Sequence, residues 1–225
     1  MVRNRVLPFL SVILLATLPT ASFAQDARAV LASVVKAMGA ENLKTLHYAG
    51  SGSSYVITPG PVPATGWPHT YLKSYVRDLN LETAMSRLHG IRVQGTPPAD
   101  QTMNHSIDAT SPWSTQYQFW LTPYGFLKGA MTGSSSLTTK TVFGSDYRVI
   151  TFTPPGGHPV SAYLSDKDLI EKVETRIGDR NDVPVEALYR DYMDVNGVKF
   201  PMMITEKQGG ELSLLVIVNE VKAGK

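Results

Sequence analysis

The sequence predicts an α+β protein: a strongly curved antiparallel β-sheet, a half-barrel, with helices packed on its concave face. Three observations predict it. Short alternating segments follow one another with turn residues between them, the pattern of sequential hairpins. One such junction, Asn196-Gly197 between Val185–Val195 and Val198–Glu206, is the pair that favours a type I′ turn, because both central residues need positive φ. Against about nine or ten strand-like segments stand only two helical ones, enough to cover one face of a long sheet.

Taken in order, the chain opens on an address. Arg3 and Arg5 precede an apolar run from Val6 to Leu18, and Ser22-Phe23-Ala24 places small residues where a signal peptidase cuts. Residues 1–24 read as a secretory leader, too short and wrongly flanked for a stable span. The expected location is the periplasm. Gln25, not Cys, follows the expected cut, so no lipid anchor is expected there. Residues 25–225 read as a single domain of ~200 residues, large enough for a sizeable core. There is no cysteine, and a chain of this length stands without disulfides.

Asp26 can cap a helix in which Ala27, Val30, Leu31, Val34, Val35 and Met38 form one apolar stripe, ended by Gly39. Leu46–Ile57 opens the strands, with Gly50 and Gly52 as bends or bulges. Tyr71–Leu81 and Thr83–Val93 read as neighbouring strands, and Gly95–Pro112 as polar, irregular and mobile. Gln116–Leu121 reads as a short aromatic strand. Thr122-Pro123 then supplies a cap and a first-turn proline for a helix through about Met131. Ser136–Val142, Tyr147–Thr153, Val160–Leu164, Leu169–Ile177, the Asn-Gly hairpin and Leu212–Val221 complete the strands.

Charge excludes one class of partner. The 19 acidic residues are matched by as many basic ones once the two leader arginines are set aside, and no basic cluster is present. Nucleic acid is not an expected partner. No later stretch approaches the ~18 apolar residues of a membrane span.

The chemistry is thinner than the fold. His47, His69, His89, His105 and His158 form no local pair, so neither a zinc site nor any other cofactor is expected. Ser33-Val-Val-Lys36 matches the Ser-x-x-Lys of penicillin-recognising enzymes, but the companion elements are defective and out of order. Ser33 and Lys36 read as the polar side of the helix. Gly50-Ser51-Gly52 sits in a strand and lacks the third glycine of a dinucleotide loop. Asp191, Asp194, Glu171 and Glu174 read as solvent-facing charges. No nucleophile, base and oxyanion donors assemble, and a non-catalytic protein is expected.

The aromatic residues are the better lead. Tyr71 and Tyr75 are two pleats apart, on one strand face by strict alternation. Tyr117 and Phe119 share a face and Trp120 points the other way, with Tyr124 and Phe126 on the helix and Trp113 in a loop. Ordinary core packing explains these residues more simply than a ligand groove does. If the curved sheet is not fully plugged by its helices, Tyr71, Tyr75, Trp113, Tyr117, Phe119, Trp120, Tyr124 and Phe126 line an apolar cavity for a small molecule or lipid.

Several phrases carry a resemblance. They are Val35-Lys-Ala-Met-Gly-Ala-Glu-Asn-Leu-Lys-Thr-Leu46, Lys73-Ser-Tyr-Val-Arg77, Trp120-Leu-Thr-Pro-Tyr-Gly-Phe-Leu-Lys128, Leu169-Ile-Glu-Lys-Val-Glu-Thr175 and Tyr189-Arg-Asp-Tyr-Met-Asp-Val-Asn-Gly-Val-Lys-Phe-Pro201. Together they resemble the N-terminal domain that precedes the catalytic domain in secreted metallo-β-lactamase-fold hydrolases of bacteria. The last phrase is also similar to the final hairpin of periplasmic lipoprotein carriers of the LolA/LolB type. The resemblance implies a curved antiparallel sheet closed by helices. It also implies one of two roles: a carrier of a lipid or other apolar ligand, or an accessory domain with a hydrolase domain as partner. The zinc-binding His-x-His-x-Asp-His of those hydrolases has no counterpart before the sequence ends at Lys225, so no catalytic residue is carried over.

Overall fold

The computed structural model describes residues 20–58, 60–178 and 182–225, with side chains described from Asp26 onward. Most of the expected leader lies outside the described residues. Among them, eleven strands form one antiparallel sheet accompanied by three helices, an α+β arrangement.

Helix α1 spans Thr20–Ala37. No breaker separates Thr20 from Asp26, so the helix runs through Asp26 instead of being capped by it. Ala27, Leu31, Val34, Val35 and Met38 form its buried stripe. Gly39 stops it in the left-handed region, at φ +68°, with Ala40 N–H donating back to Val35 O. A Cβ at Gly39 would lie 1.8 Å from the Gly197 carbonyl oxygen, so only glycine lets this helix end seat on the Asn196-Gly197 turn.

The strands follow as β1 (Thr45–Tyr55), β2 (His69–Asn80), β3 (Met85–Gln94) and β4 (Ala99–Ile107). After the helices come β5 (Ser135–Val142), β6 (Ser145–Phe152), β7 (Val160–Leu164), β8 (Ile170–Ile177), β9 (Val183–Val195), β10 (Val198–Gln208) and β11 (Glu211–Gly224). Their spatial order is β4-β3-β2-β1-β11-β10-β9-β8-β7-β6-β5. Every step is a hairpin except β1–β11, which joins the two halves. The sheet is open, with β4 and β5 at its edges. The Asn-Gly turn is as expected: Asn196 and Gly197 have φ of 54° and 79°, and Asp194 Oδ1 accepts the Gly197 N–H at 2.8 Å.

Two further expectations are corrected. The segment read as irregular contains β4, which pairs with β3 from Ser86↔Ile107 to Gln94↔Ala99. It is an edge strand exposed almost throughout, so it lacks the apolar alternation by which strands are recognised in sequence. The aromatic segment read as a strand is a helix, α2 (Trp113–Trp120). Aromatic residues favour strands, but here the backbone closes helical hydrogen bonds, Gln116 N–H to Pro112 O and Leu121 N–H to Tyr117 O, and packing from both sides of the short helix overrides that preference. Helix α3 (Pro123–Thr132) starts as expected, with Thr122 Oγ1 accepting the Gly125 N–H at 3.0 Å and Pro123 in the first turn. The same hydroxyl donates to Phe119 O at 2.7 Å, which ties α3 to the end of α2.

Candidate functional site

The register defines which side chains meet the helices. Leu46 lies opposite Leu79, and Tyr48 opposite Arg77. Val216 lies opposite Ile204, and Ile204 opposite Tyr189. Ala187 lies opposite Val173, Val173 opposite Ala162, and Ala162 opposite Ile150. All except Arg77 are apolar or aromatic, and all are buried. Bulges keep the pattern in phase. Between Leu72 and Ser74 an extra residue in β2 lets Leu72 and Tyr75 both face inward. In β9, Asp191 at φ 57° lets Tyr189 and Tyr192 both point inward, each donating from its hydroxyl to a backbone carbonyl, of Leu121 and Ile170 respectively.

The β2 bulge corrects the reading of Tyr71. It does not share a face with Tyr75: Tyr71 is 52% exposed and Tyr75 3%. Tyr117, Phe119, Tyr124 and Phe126 are buried at the helix–sheet junction. Phe126 meets Phe152 edge-on with centroids 5.3 Å apart, and Tyr124 stacks on Phe200 at 6.2 Å. Trp120 is half-buried against Phe119 and Phe152, at 4.9 and 5.7 Å. Trp113 opens α2, half-buried between Tyr117 and His158, and its indole N–H donates to Arg176 O at 2.8 Å. Seven of the eight aromatic candidates thus gather where α2 and α3 cover the sheet, and Tyr71 stands apart.

Polar groups hold this cover down. Arg77 is 3% exposed. Its guanidinium donates to Ser86 Oγ at 2.9 Å, to Tyr75 Oη at 3.4 Å and to the Gln118 carbonyl of α2 at 3.0 Å. Burial opposes its charge, but Tyr75, Tyr48 and Glu206 nearby hold the proton on more firmly than usual. Tyr124 Oη donates to Lys199 O at 2.6 Å, fastening α3 to β10. Glu206 lies opposite Ala187 on the helix-covered face, and burial raises its carboxyl pKa, with Arg77 only partly opposing. Trp120 Nε1 is buried and has no hydrogen-bond partner among the described residues.

Arg77, Glu206, Tyr48 and Tyr189 were not singled out from the sequence. A signal existed for Arg77: Tyr75, Arg77, Leu79 and Leu81 alternate as one face, with a charge in the middle of it.

The opposite face is open and charged. A concavity of about 780 Å³ lies over β11, β1, β2, β3 and β4, lined by His47, Asp78, Arg87, Asn104, Ser106 and Lys222 among others. Among the described residues no group of three or more His, Asp or Glu is placed to hold a metal ion, and no helix is long and apolar enough to cross a membrane.

No family model matches the sequence, and no curated protein matches it. Among solved structures the chain is similar to a LolA superfamily protein from Nitrosomonas europaea, at 13% identity and TM-score 0.49, covering 88% of this chain and 94% of that one. It is similar to a DUF1329 family protein from Desulfovibrio piger, at 10% identity and TM-score 0.48, covering 88% and 92%. It is also similar to a domain described as an outer membrane lipoprotein-sorting protein from Vibrio parahaemolyticus, at 10% identity and TM-score 0.49, covering 88% and 94%. Likenesses this distant decide neither fold nor function for this chain. None of them links it to a metallo-β-lactamase-fold hydrolase.

Proposed function

We propose that the chain is a non-catalytic binding or carrier module of the periplasm, which takes a lipid, acyl chain or other apolar ligand between the inner face of a strongly curved sheet and its helices. Residues 1–24 are its leader and 25–225 its single LolA/LolB-like domain. Curvature is supported by the reach of α2, which lies against both β4 and β8. Those strands are seven steps apart in the sheet order, ~34 Å if the sheet were flat. An eight-residue helix is ~12 Å long. A sheet that wraps around α2 reconciles the two.

The observation that carries the reading is the Trp120 indole N–H, buried beside Phe119 and Phe152 without an acceptor among the described residues. Such an orphan costs ~1–3 kcal/mol. An apolar ligand with a carbonyl or ester oxygen relieves it while keeping the ring contacts. The cover is suited to movement. Helices of eight and ten residues have little stability of their own, so α2 and α3 stay down through packing and through the Arg77, Tyr124 and Tyr189 hydrogen bonds. A ligand of the same apolar character replaces the packing that it displaces.

Titration of the purified chain with a fluorescent fatty-acid analogue tests this. Saturable, stoichiometric binding is expected, and its absence sinks the reading.

A further inference from the structure

The outer-face concavity is built in register across five strands. Lys222 lies opposite His47, His47 opposite Asp78, Asp78 opposite Arg87, and Arg87 opposite Ser106. Asn104 and Asn80 complete the polar lining. Sheet stability alone favours a cross-strand ion pair between Asp78 and Arg87. That pair is not made. Asp78 Oδ1 accepts from His47 Nδ1 at 2.7 Å, and Oδ2 faces His89 Nε2 at 3.2 Å. Both carboxylate oxygens are engaged by imidazoles, so the guanidinium directly across is left without an ion-pair partner among the described residues. Arg87 lines this concavity and also the adjoining one over Ser74, Val76 and His89. On the far side Lys222 is held beside Glu220, which keeps its own carboxylate charged. Arg87 and Lys222 are three strands apart, ~14 Å between backbones. Their long side chains therefore flank the hollow above His47 and Asp78 from opposite sides.

We propose that this concavity is a second site, independent of the helix-covered face, for a ligand bearing an oxyanion, a phosphate or carboxylate. Arg87 is its principal contact, and Asn104 and Ser106 are the supporting donors; Lys222, paired with Glu220, borders the hollow. A guanidinium presents paired N–H groups that fit such a group in two-point fashion. His47 and His89 act through Asp78: by occupying both of its oxygens they keep it from neutralising Arg87. They are positioning residues, and Asp78 is the competitor that they restrain. A local rule of sheet pairing is broken here with no gain in packing, as expected where a surface is kept for a ligand.

The test is a titration of the ¹⁵N-labelled full chain with sodium phosphate and with sodium acetate, followed by backbone chemical shifts. A parallel arm measures sedimentation with vesicles of phosphatidylglycerol against vesicles of phosphatidylcholine. Saturable shifts confined to β1–β4 and β11 are expected with phosphate or acetate if the anion is free. Binding to phosphatidylglycerol vesicles alone assigns the anion to a lipid headgroup. Arg87→Gln should weaken either response at least tenfold. Asp78→Asn should strengthen it, and His47→Gln with His89→Gln should weaken it with Arg87 intact, changes that loss of mere fold stability does not produce. Lys73→Gln, which breaks an exposed pair with Asp100 on the same face, should leave it unchanged. The proposal is overturned if none of the probes gives a saturable response, or if Arg87→Gln responds like the parent chain.

Discussion

The two faces of the sheet hold themselves together by different physics. The helix-covered face is largely aromatic: Phe119 and Phe126 are fully buried and contact other rings. Among its polar groups, Arg77 gives one of its hydrogen bonds to a carbonyl of α2, and the Tyr124 and Tyr189 hydroxyls likewise join the helices to the sheet. The outer face is a surface of charged ladders. One runs through Lys140, Tyr163, Glu174, Lys172 and Glu186, with Lys172 Nζ 3.8 Å from the centroid of the Tyr163 ring. Removing atoms from the first face leaves cavities or orphaned partners. Removing them from the second lets water in at little cost. Stability is concentrated on one side and polar recognition on the other.

The largest contrast comes from truncation. Phe126→Ala should lower unfolding free energy by ~3–5 kcal/mol, read from the denaturant midpoint. A change below 1 kcal/mol would mean that the inner face is loosely filled and would erase the comparison. Next is Arg77→Met, which leaves the Gln118 carbonyl, Tyr75 and Ser86 without their donor and should cost ~1–3 kcal/mol. Its signature is local: amides of α2 should lose hydrogen-exchange protection by more than those of β7. Equal loss everywhere would deny Arg77 its role as a fastener.

The third contrast is in pH dependence, and its sign differs between the faces. Burial raises the Glu206 carboxyl, so the folded chain keeps a proton that the unfolded chain has released. The stability from that proton is complete below the unfolded carboxylate value and falls as pH rises through the raised one. Glu206→Gln should therefore stabilise the protein at neutral pH. For Glu174, burial also pushes upward, but Lys172, Tyr163 and Lys140 outweigh it and the net shift is downward. Its contribution is complete above the unfolded value and is lost as pH falls through the lowered one. Glu174→Gln should thus destabilise at neutral pH and flatten the acid limb. Urea unfolding of both variants across pH 3–8 checks the pair, and the same sign for both contradicts the account. The smallest effect is Lys140→Met, within ~1 kcal/mol because the pair is partly exposed.

The sheet was legible where strands alternate and turns are explicit, as in β9–β10 around Asn196-Gly197. It was not legible at β4, because an exposed edge strand has no apolar side to announce it. Nor was it legible at α2, where eight residues are too few for helical periodicity to outweigh β-favouring aromatics. At the candidate site, residue types were readable but faces were not. A bulge at Leu72/Ser74 separates Tyr71 from Tyr75, and no glycine or proline in that stretch marks it. The His47–Asp78–His89 network was beyond reach, since it depends on the register of three strands whose histidines are far apart in sequence.

The proposal that the helix-covered face admits an apolar guest is tested most directly at Trp120. In a chain carrying Trp67→Phe and Trp113→Phe, so that Trp120 is the sole indole, titration with a fatty acid brominated along its chain should quench the fluorescence saturably. The unbrominated acid should not. Equal emission with both acids, at concentrations where the fluorescent analogue is bound, would mean that the guest sits elsewhere and that the helices cover a core with no room for a ligand.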